Sequence, residues 1–211
     1  MKKTILLTIV MTAVLALVLS IGVFAAEEPV APMDPNPMGQ QQAEQEPSLF
    51  SMIFSGGALA ILGAAVAVGL AGIGSAKGVG MVGEATCGLL TENPNAFGKA
   101  FLLMALPMTQ GIYGLVIAFL ILFKTGLFAE GHMDNLLALS VEEGAYYLMS
   151  ALPIGVVGLI SAIKQARVSV SGINLLAKRP EKVINAVTSA ALVETYAICA
   201  LLISVLLVLV G

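Results

Sequence analysis

The sequence predicts an all-α membrane protein built from two tandem transmembrane helical hairpins, four helices in all, behind an N-terminal signal or anchor helix. Three observations predict it. The 211 residues are 58% hydrophobic and only 11% charged, too apolar for a water-soluble domain. Four long apolar stretches, near residues 50–90, 97–124, 144–177 and 181–210, each exceed the ~20 residues a helix needs to cross a bilayer. The stretches also repeat as a pair: at a constant offset of 86, Gly69, Gly72, Ser75, Ala76, Val82, Leu89, Leu90 and Pro94 match Gly155, Gly158, Ser161, Ala162, Val168, Leu175, Leu176 and Pro180.

Residues 1–26 open with Lys2 and Lys3, run apolar from Ile5 to about Phe24, and end in Ala25 and Ala26. That layout is a secretory signal cut after Ala25 or Ala26, although its length also suits a retained membrane helix. Either way, residues 27–48 emerge outside the cytoplasm. They hold five acidic residues, no basic one and five prolines, a composition that cannot bury a core and reads as a disordered exported tail.

The first hairpin is assigned to 49–124, a connector to 125–143, and the second hairpin to 144–211. Tight turns at Thr91-Glu92-Asn93-Pro94-Asn95 and Lys178-Arg179-Pro180-Glu181-Lys182 each contain a proline that stops the preceding helix. Lys77, Lys99, Lys164, Arg167, Lys178, Arg179 and Lys182 gather toward these turns, whereas the connector is mostly acidic. The positive-inside rule then places the tight loops in the cytoplasm, with the N-terminal tail and the C-terminus outside, in a multi-pass protein of the cell membrane.

The first span is rich in small residues. Gly72, Ala76 and Gly80 recur every four positions, with Gly74 and Gly78 alongside and Gly63, Gly69 and Gly83 on either side. Small side chains let membrane helices approach closely, and a tightly packed inner ring of such helices is one solution. The same run has neither dinucleotide-loop spacing nor a Gly-Lys-Ser/Thr step, so no nucleotide is expected to bind. There is no basic patch for nucleic acid. Cys87 and Cys199, both in apolar helical patterns, read as small hydrophobes rather than a disulfide or metal pair, and His132 has no partner ligands for zinc.

Glu194 is the chemical anomaly. It sits near the middle of the fourth span, where a carboxylate costs about 2.5–3.5 kcal/mol on insertion scales and normally marks an ion or proton pathway. In the second span Leu106, Thr109, Gln110 and Tyr113 fall on one helical face, and Pro107 among them leaves nearby carbonyls less committed to the helix. Gln165 in the third span, with Thr195 beside Glu194, completes the set. One carboxylate, two amides, a hydroxyl and a carbonyl form an oxygen cage of single negative charge, which suits Na+ better than a divalent cation. The glutamines equally suit hydrogen bonding between helices, and Tyr113 equally suits packing with its hydroxyl satisfied. The repeat is asymmetric here. With a two-residue shift Gln110 takes the place that Glu194 holds in the second copy, and Val79 stands opposite Gln165, so two hairpins share one site. Glu84 and Lys77 share a face nearer the cytoplasm and are expected to pair or snorkel.

The stretches Gly72-Ile73-Gly74-Ser75-Ala76-Lys77-Gly78-Val79-Gly80, Leu106-Pro107-Met108-Thr109-Gln110-Gly111-Ile112-Tyr113-Gly114 and Val193-Glu194-Thr195-Tyr196-Ala197-Ile198 closely resemble the membrane proteolipid of V-type ATPases, the c subunit called K in sodium-transporting forms. The resemblance covers about residues 50–210. Met108 replaces a smaller residue common in sodium-pumping relatives, and the acidic tail has no counterpart in the family pattern.

The resemblance implies a homo-oligomeric rotor ring in the lipid bilayer, with no catalysis by this chain itself. A soluble ATP-hydrolysing head would drive it through a central stalk at loops 91–98 and 178–182. A stator membrane subunit would present an Arg to the passing site. Carried over, the ligands of one Na+ are the Leu106 carbonyl, Thr109, Gln110, Gln165 and Glu194, with Tyr113 bonding the carboxylate. A proton-carrying rotor of the same class, needing only Glu194, is the alternative. A passive channel or membrane scaffold is the alternative of a different class.

Overall fold

The computed structural model describes residues 53–211, so the signal or anchor helix and the acidic tail fall outside the described residues. Helix α1 spans Gly56–Glu92 and ends at a short 3-10 turn, Pro94–Ala96. The second span is broken in two, α2 over Phe97–Ala105 and α3 over Thr109–Lys124, around a 3-10 turn at Leu106–Met108. A seven-residue helix α4, His132–Ala138, lies within the connector. Helix α5 covers Val141–Lys178, and after the turn Pro180–Lys182 helix α6 runs over Val183–Val210. Four of these stretches are long and apolar enough to cross a membrane, and no strand occurs among the described residues. The all-α, two-hairpin class expected from the sequence is the one observed.

Local chemistry sets the ends. Ser55 caps α1 by accepting from the Ala58 amide at 3.3 Å. Ser140 opens α5 with a reciprocal box: its hydroxyl accepts from the Glu143 amide at 3.2 Å, and the Glu143 carboxylate accepts from the Ser140 amide at 2.8 Å. In the connector, Gly126 and Gly131 take φ of 72° and 71°, a left-handed backbone that other residues rarely adopt.

Parallel helices α1 and α5 form the spine. Their contacts advance together along both chains: Gly56 abuts Gly144, Gly63 abuts the Leu148 backbone, Gly74 the Leu159 backbone, and Gly78 the Ala162 carbonyl. A Cβ built on Gly74 would stand 2.7 Å from the Leu159 Cα, and one on Gly63 would stand 2.9 Å from the Leu148 Cα. Glycine is required at these positions because backbone touches backbone there. Helix α3 packs on α1, Gly114 against Ala67 and Gly111 against Ser75, and α6 packs on α5 where Gly172 meets Ala186.

Two apolar clusters fill the bundle. One joins Ala60, Ala64, Ala67, Ile117, Ile121, Tyr147, Ala151, Ile154 and Val208 toward the connector end. The other joins Val82, Leu89, Leu103, Ala166, Ile173, Leu176 and Val183 toward the tight turns. Polar residues lie between them.

Two readings are narrowed. Cys87 and Cys199 are free, but both lie on exposed helix faces instead of being buried, because the apolar pattern runs all round these helices and does not single out an inward side. Of the two alternatives for Lys77 and Glu84, the pairing does not form; both are exposed, which leaves them free to snorkel, and the ion pair formed among the described residues is Arg179 with Glu181 at 4.0 Å. Seven residues is nearly two turns, which keeps the two on one side but leaves them too far apart to meet.

The seam gives a direct test. Gly74→Ala is expected to destabilise the detergent-solubilised protein by about 1–3 kcal/mol, through forced separation of α1 and α5. Gly88→Ala, where an added Cβ meets nothing within 4 Å, should be neutral or stabilising by up to ~1 kcal/mol. Thermal melts followed by circular dichroism compare them; equal melting temperatures would remove the seam's role.

Candidate functional site

The site is built where the second span breaks. Pro107 has no amide hydrogen, and the chain answers with the 3-10 turn Leu106–Met108, ending α2 and restarting as α3 at Thr109. A restarting helix exposes its first amides. Ser75 of α1 supplies one partner, its hydroxyl accepting from the Gly111 amide at 2.7 Å and lying 3.4 Å from the Met108 carbonyl. This cap from another helix fixes the pitch of α3 and hence the direction of Gln110 and Tyr113.

From that joint a continuous hydrogen-bonded chain crosses three helices. Gln110 of α3 donates through Nε2 to Gln165 Oε1 of α5 at 2.6 Å, and both side chains are fully buried. Gln165 Nε2 donates to the Ala190 carbonyl of α6 at 3.2 Å and approaches Glu194 Oε2 at 3.5 Å. Tyr113 donates its hydroxyl to Glu194 Oε1 at 2.6 Å. Glu194 itself is half-buried on α6. At the α3 end, the Thr109 hydroxyl lies 3.0 Å from the Leu106 carbonyl and 3.4 Å from Gln110 Oε1.

The structure therefore brings together Leu106, Thr109, Gln110, Tyr113, Gln165 and Glu194, six of the seven polar-set residues singled out in the sequence. Thr195 stays apart: its hydroxyl is exposed and bonds the Leu192 carbonyl of its own helix at 2.8 Å. The Leu106 carbonyl is not a free acceptor either. It takes both the Thr109 amide and the Thr109 hydroxyl, so the break that uncovers it also provides its local partner.

Two participants escaped the sequence reading. Ser75 lies inside the glycine-rich run and looked like one more small residue; the signal available was that a proline-broken span needs a donor or acceptor from outside. The Ala190 carbonyl, one turn before Glu194, anchors the Gln165 amide, and a backbone atom leaves no mark in composition.

Chemically, the cluster is an array of oxygen acceptors around a single carboxylate: Glu194 Oε1 and Oε2, Gln110 Oε1, Gln165 Oε1, Thr109 Oγ1 and the Leu106 carbonyl. Its amide hydrogens and the tyrosine hydroxyl bond these oxygens to one another. Such a set can hold a small monovalent cation, or a proton on the acid, with an apolar cluster on either side of it.

Comparison with known proteins finds the family model of the ATP synthase C subunit matching residues 62–121 and 148–207, one match in each hairpin, displaced by the same 86 residues as the internal repeat. The chain is 48% identical over 150 residues to the V-type sodium ATPase subunit K of Enterococcus hirae, covering 71% of this chain and 90% of that protein. It is 39% identical over 159 residues to the A-type ATP synthase subunit K of Methanocaldococcus jannaschii, covering 72% of this chain and 62% of that one.

Ser75→Ala is expected to leave the Gly111 amide without its acceptor and to cost about 1–3 kcal/mol, lowering the thermal midpoint without removing any atom from the Gln110–Gln165–Glu194 chain. Ser75→Thr, which keeps the hydroxyl, should recover part of the loss. A melt of Ser75→Ala that overlays the parent would remove the capping role.

Proposed function

The chain belongs to the family of the ATP synthase C subunit, and on that premise we propose that it is the ion-carrying rotor-ring subunit of a rotary V-type ATPase, moving one Na+ per subunit at Glu194. The observation that carries this reading is the hydrogen-bonded chain Gln110–Gln165–Glu194–Tyr113, set within helices of membrane-spanning length between two apolar clusters. A purely structural cross-helix bond would not need a carboxylate. A proton carrier would not need the two buried amides.

Na+ is the cargo. Glu194 supplies its counter-charge, while the oxygens of Gln110, Gln165, Thr109 and Leu106 replace its water. Tyr113 holds the carboxylate in place. Cargo and carboxylate together are neutral, which lets the site pass through lipid, where a bare charge at a helix centre costs about 2.5–3.5 kcal/mol. Gln165 stays anchored on Ala190, so loading exchanges hydrogen bonds inside a preset frame.

Release requires water and a competing positive charge. An Arg on a stator membrane subunit meets this need: it draws the carboxylate and expels the cation into an aqueous path. ATP hydrolysis or synthesis takes place in the soluble head, this chain acting as a non-catalytic subunit. The tight loops 91–98 and 178–182, carrying Lys178, Arg179 and Lys182 with Lys99 just beyond, face the cytoplasm and receive the central stalk. The connector and the C-terminus face outward.

A carbodiimide attacks only a protonated carboxyl group, so labelling of Glu194 in the purified membrane assembly should slow as Na+ is raised at fixed pH. Glu194→Gln should abolish both labelling and ATP-driven Na+ uptake. Gln110→Leu and Gln165→Leu should each raise the Na+ concentration giving half-protection at least about tenfold, equivalent to ~1.4 kcal/mol. Labelling indifferent to Na+ would overturn the sodium assignment in favour of protons. Transport surviving Glu194→Gln would overturn the carrier role and leave a passive channel or scaffold.

A further inference from the structure

Two buried hydroxyls stand outside the Glu194 cluster. Thr86 of α1 is 3% exposed and Ser169 of α5 is 0% exposed, and neither side-chain oxygen has a hydrogen-bond partner among the described residues. Other hydroxyls on these helices behave differently. Ser150, Ser161, Ser171, Thr188, Ser189 and Thr195 each donate to a carbonyl three or four residues back in their own helix, at 2.8 to 3.3 Å. Thr86 and Ser169 have turned away from that bond. A buried hydroxyl without a partner forfeits its hydration for nothing in return, so such groups are almost always held by protein or by ordered water.

The two lie in the same part of the bundle. Thr86 falls between Val82 and Leu89 on one face of α1, and Ser169 between Ala166 and Ile173 on one face of α5; all four flanking residues belong to the apolar cluster toward the tight turns. Their heights also agree. The contacts of Gly63 with Leu148 and of Gly74 with Leu159 set the parallel register at 85 residues, which puts Thr86 level with Ser171, two positions or about 3 Å past Ser169 at 1.5 Å per residue. The same cluster contains Ala100 and Ala166, both 0% exposed, whose single methyl groups take little of the space between helices.

We propose that Thr86 and Ser169 share one buried water molecule, which bridges α1 to α5 between the Glu194 site and the tight turns. Water suits the pair because it donates two hydrogen bonds and accepts two, and so serves both hydroxyls whichever way each one turns. A cation would find no negative charge among the members of this cluster. The proposal rests on the two hydroxyls and not on which ion Glu194 carries.

The position gives the water a task. Gly78 is the last glycine of α1 at which an added Cβ would strike α5; at Gly80 and Gly88 it would meet nothing within 4 Å, and at Gly83 only Met104. The water takes up the tie between the spine helices where their backbone contact ends, one turn beyond Gln165 on α5. The repeat marks the two positions as well. At the offset of 86, Thr86 stands opposite Gly172 and Ser169 opposite Gly83, so each copy of the hairpin supplies one hydroxyl where the other has no side chain.

Cryo-EM maps of the full-length protein in its membrane assembly, resolved to ordered water, test this directly. The parent should show a density peak about 2.5–3.0 Å from both Thr86 Oγ1 and Ser169 Oγ, and Thr86→Val, which keeps the shape and loses the hydroxyl, should lack it. Thermal melts give a second measure. Thr86→Val and Ser169→Ala should each lower the midpoint by roughly 2–4 °C, because each strands the partner hydroxyl. The double variant strands neither, so it should melt no lower than either single variant. A map with no peak between the hydroxyls, with the two bonded directly to each other, or with each turned back to its own helix would overturn the proposal. So would single variants that melt at or above the parent, or shifts that simply add.

Discussion

A carboxylate can rest inside an apolar bundle only if something answers its charge, and the arrangement of this protein follows from that requirement. Glu194 receives the Tyr113 hydroxyl and the Gln165 amide, Gln165 is steadied by the Ala190 carbonyl, and Gln110 reaches Gln165 from the opposite side. Each partner comes from a helix that must approach to within hydrogen-bond range. The glycines of α1 make that approach possible: Gly74 and Gly78 bring α5 close at nearly the depth of Gln165, and Gly111 and Gly114 bring α3 onto α1. Close packing and polar chemistry are one design, since a separation wider by a methyl group would pull the amides out of reach of the acid.

Much of this is legible in the sequence because the medium leaves few options. Apolar length gives the spans, prolines give the turns, and a single acid within a span of uncharged residues gives the site. The face shared by Leu106, Thr109, Gln110 and Tyr113 follows from helical spacing even though the span is broken, because a 3-10 turn of three residues shifts the phase by only about 60°. What stayed hidden depends on a third dimension. Ser75 acquires its role only when α1 lies beside the restart of α3, and the Thr195 hydroxyl is lost to the site because it satisfies itself on Leu192. The exposed sides of Cys87 and Cys199 could not be read from helices that are apolar all round, where periodicity carries no phase.

The duplicated hairpins show how one scaffold supports unequal roles. Both copies keep the small residues that set the spine, Gly69, Gly72 and Ala76 in the first and Gly155, Gly158 and Ala162 in the second. They differ where chemistry is needed: Val79 against Gln165, Gln110 against Glu194. Serine shows the same division, since Ser75 caps α3 while its counterpart Ser161 bonds the Gly158 carbonyl of its own helix. The first copy thus furnishes the Gln110 amide, tyrosine and cap, and the second furnishes the acid and the Gln165 amide.

Helices α1 and α5, with 37 and 38 residues, are each about 55 Å long at 1.5 Å per residue, well beyond a hydrocarbon layer of about 30 Å. Their flanking partners are shorter or interrupted. The surplus length is joined backbone to backbone from Gly56 onward and continued by side-chain packing to Leu176, so the pair resists shearing and splaying along its axis. A twist applied at the tight-turn end would therefore travel to the depth of Glu194 along two helices joined backbone to backbone, past a neighbour that is interrupted at Pro107.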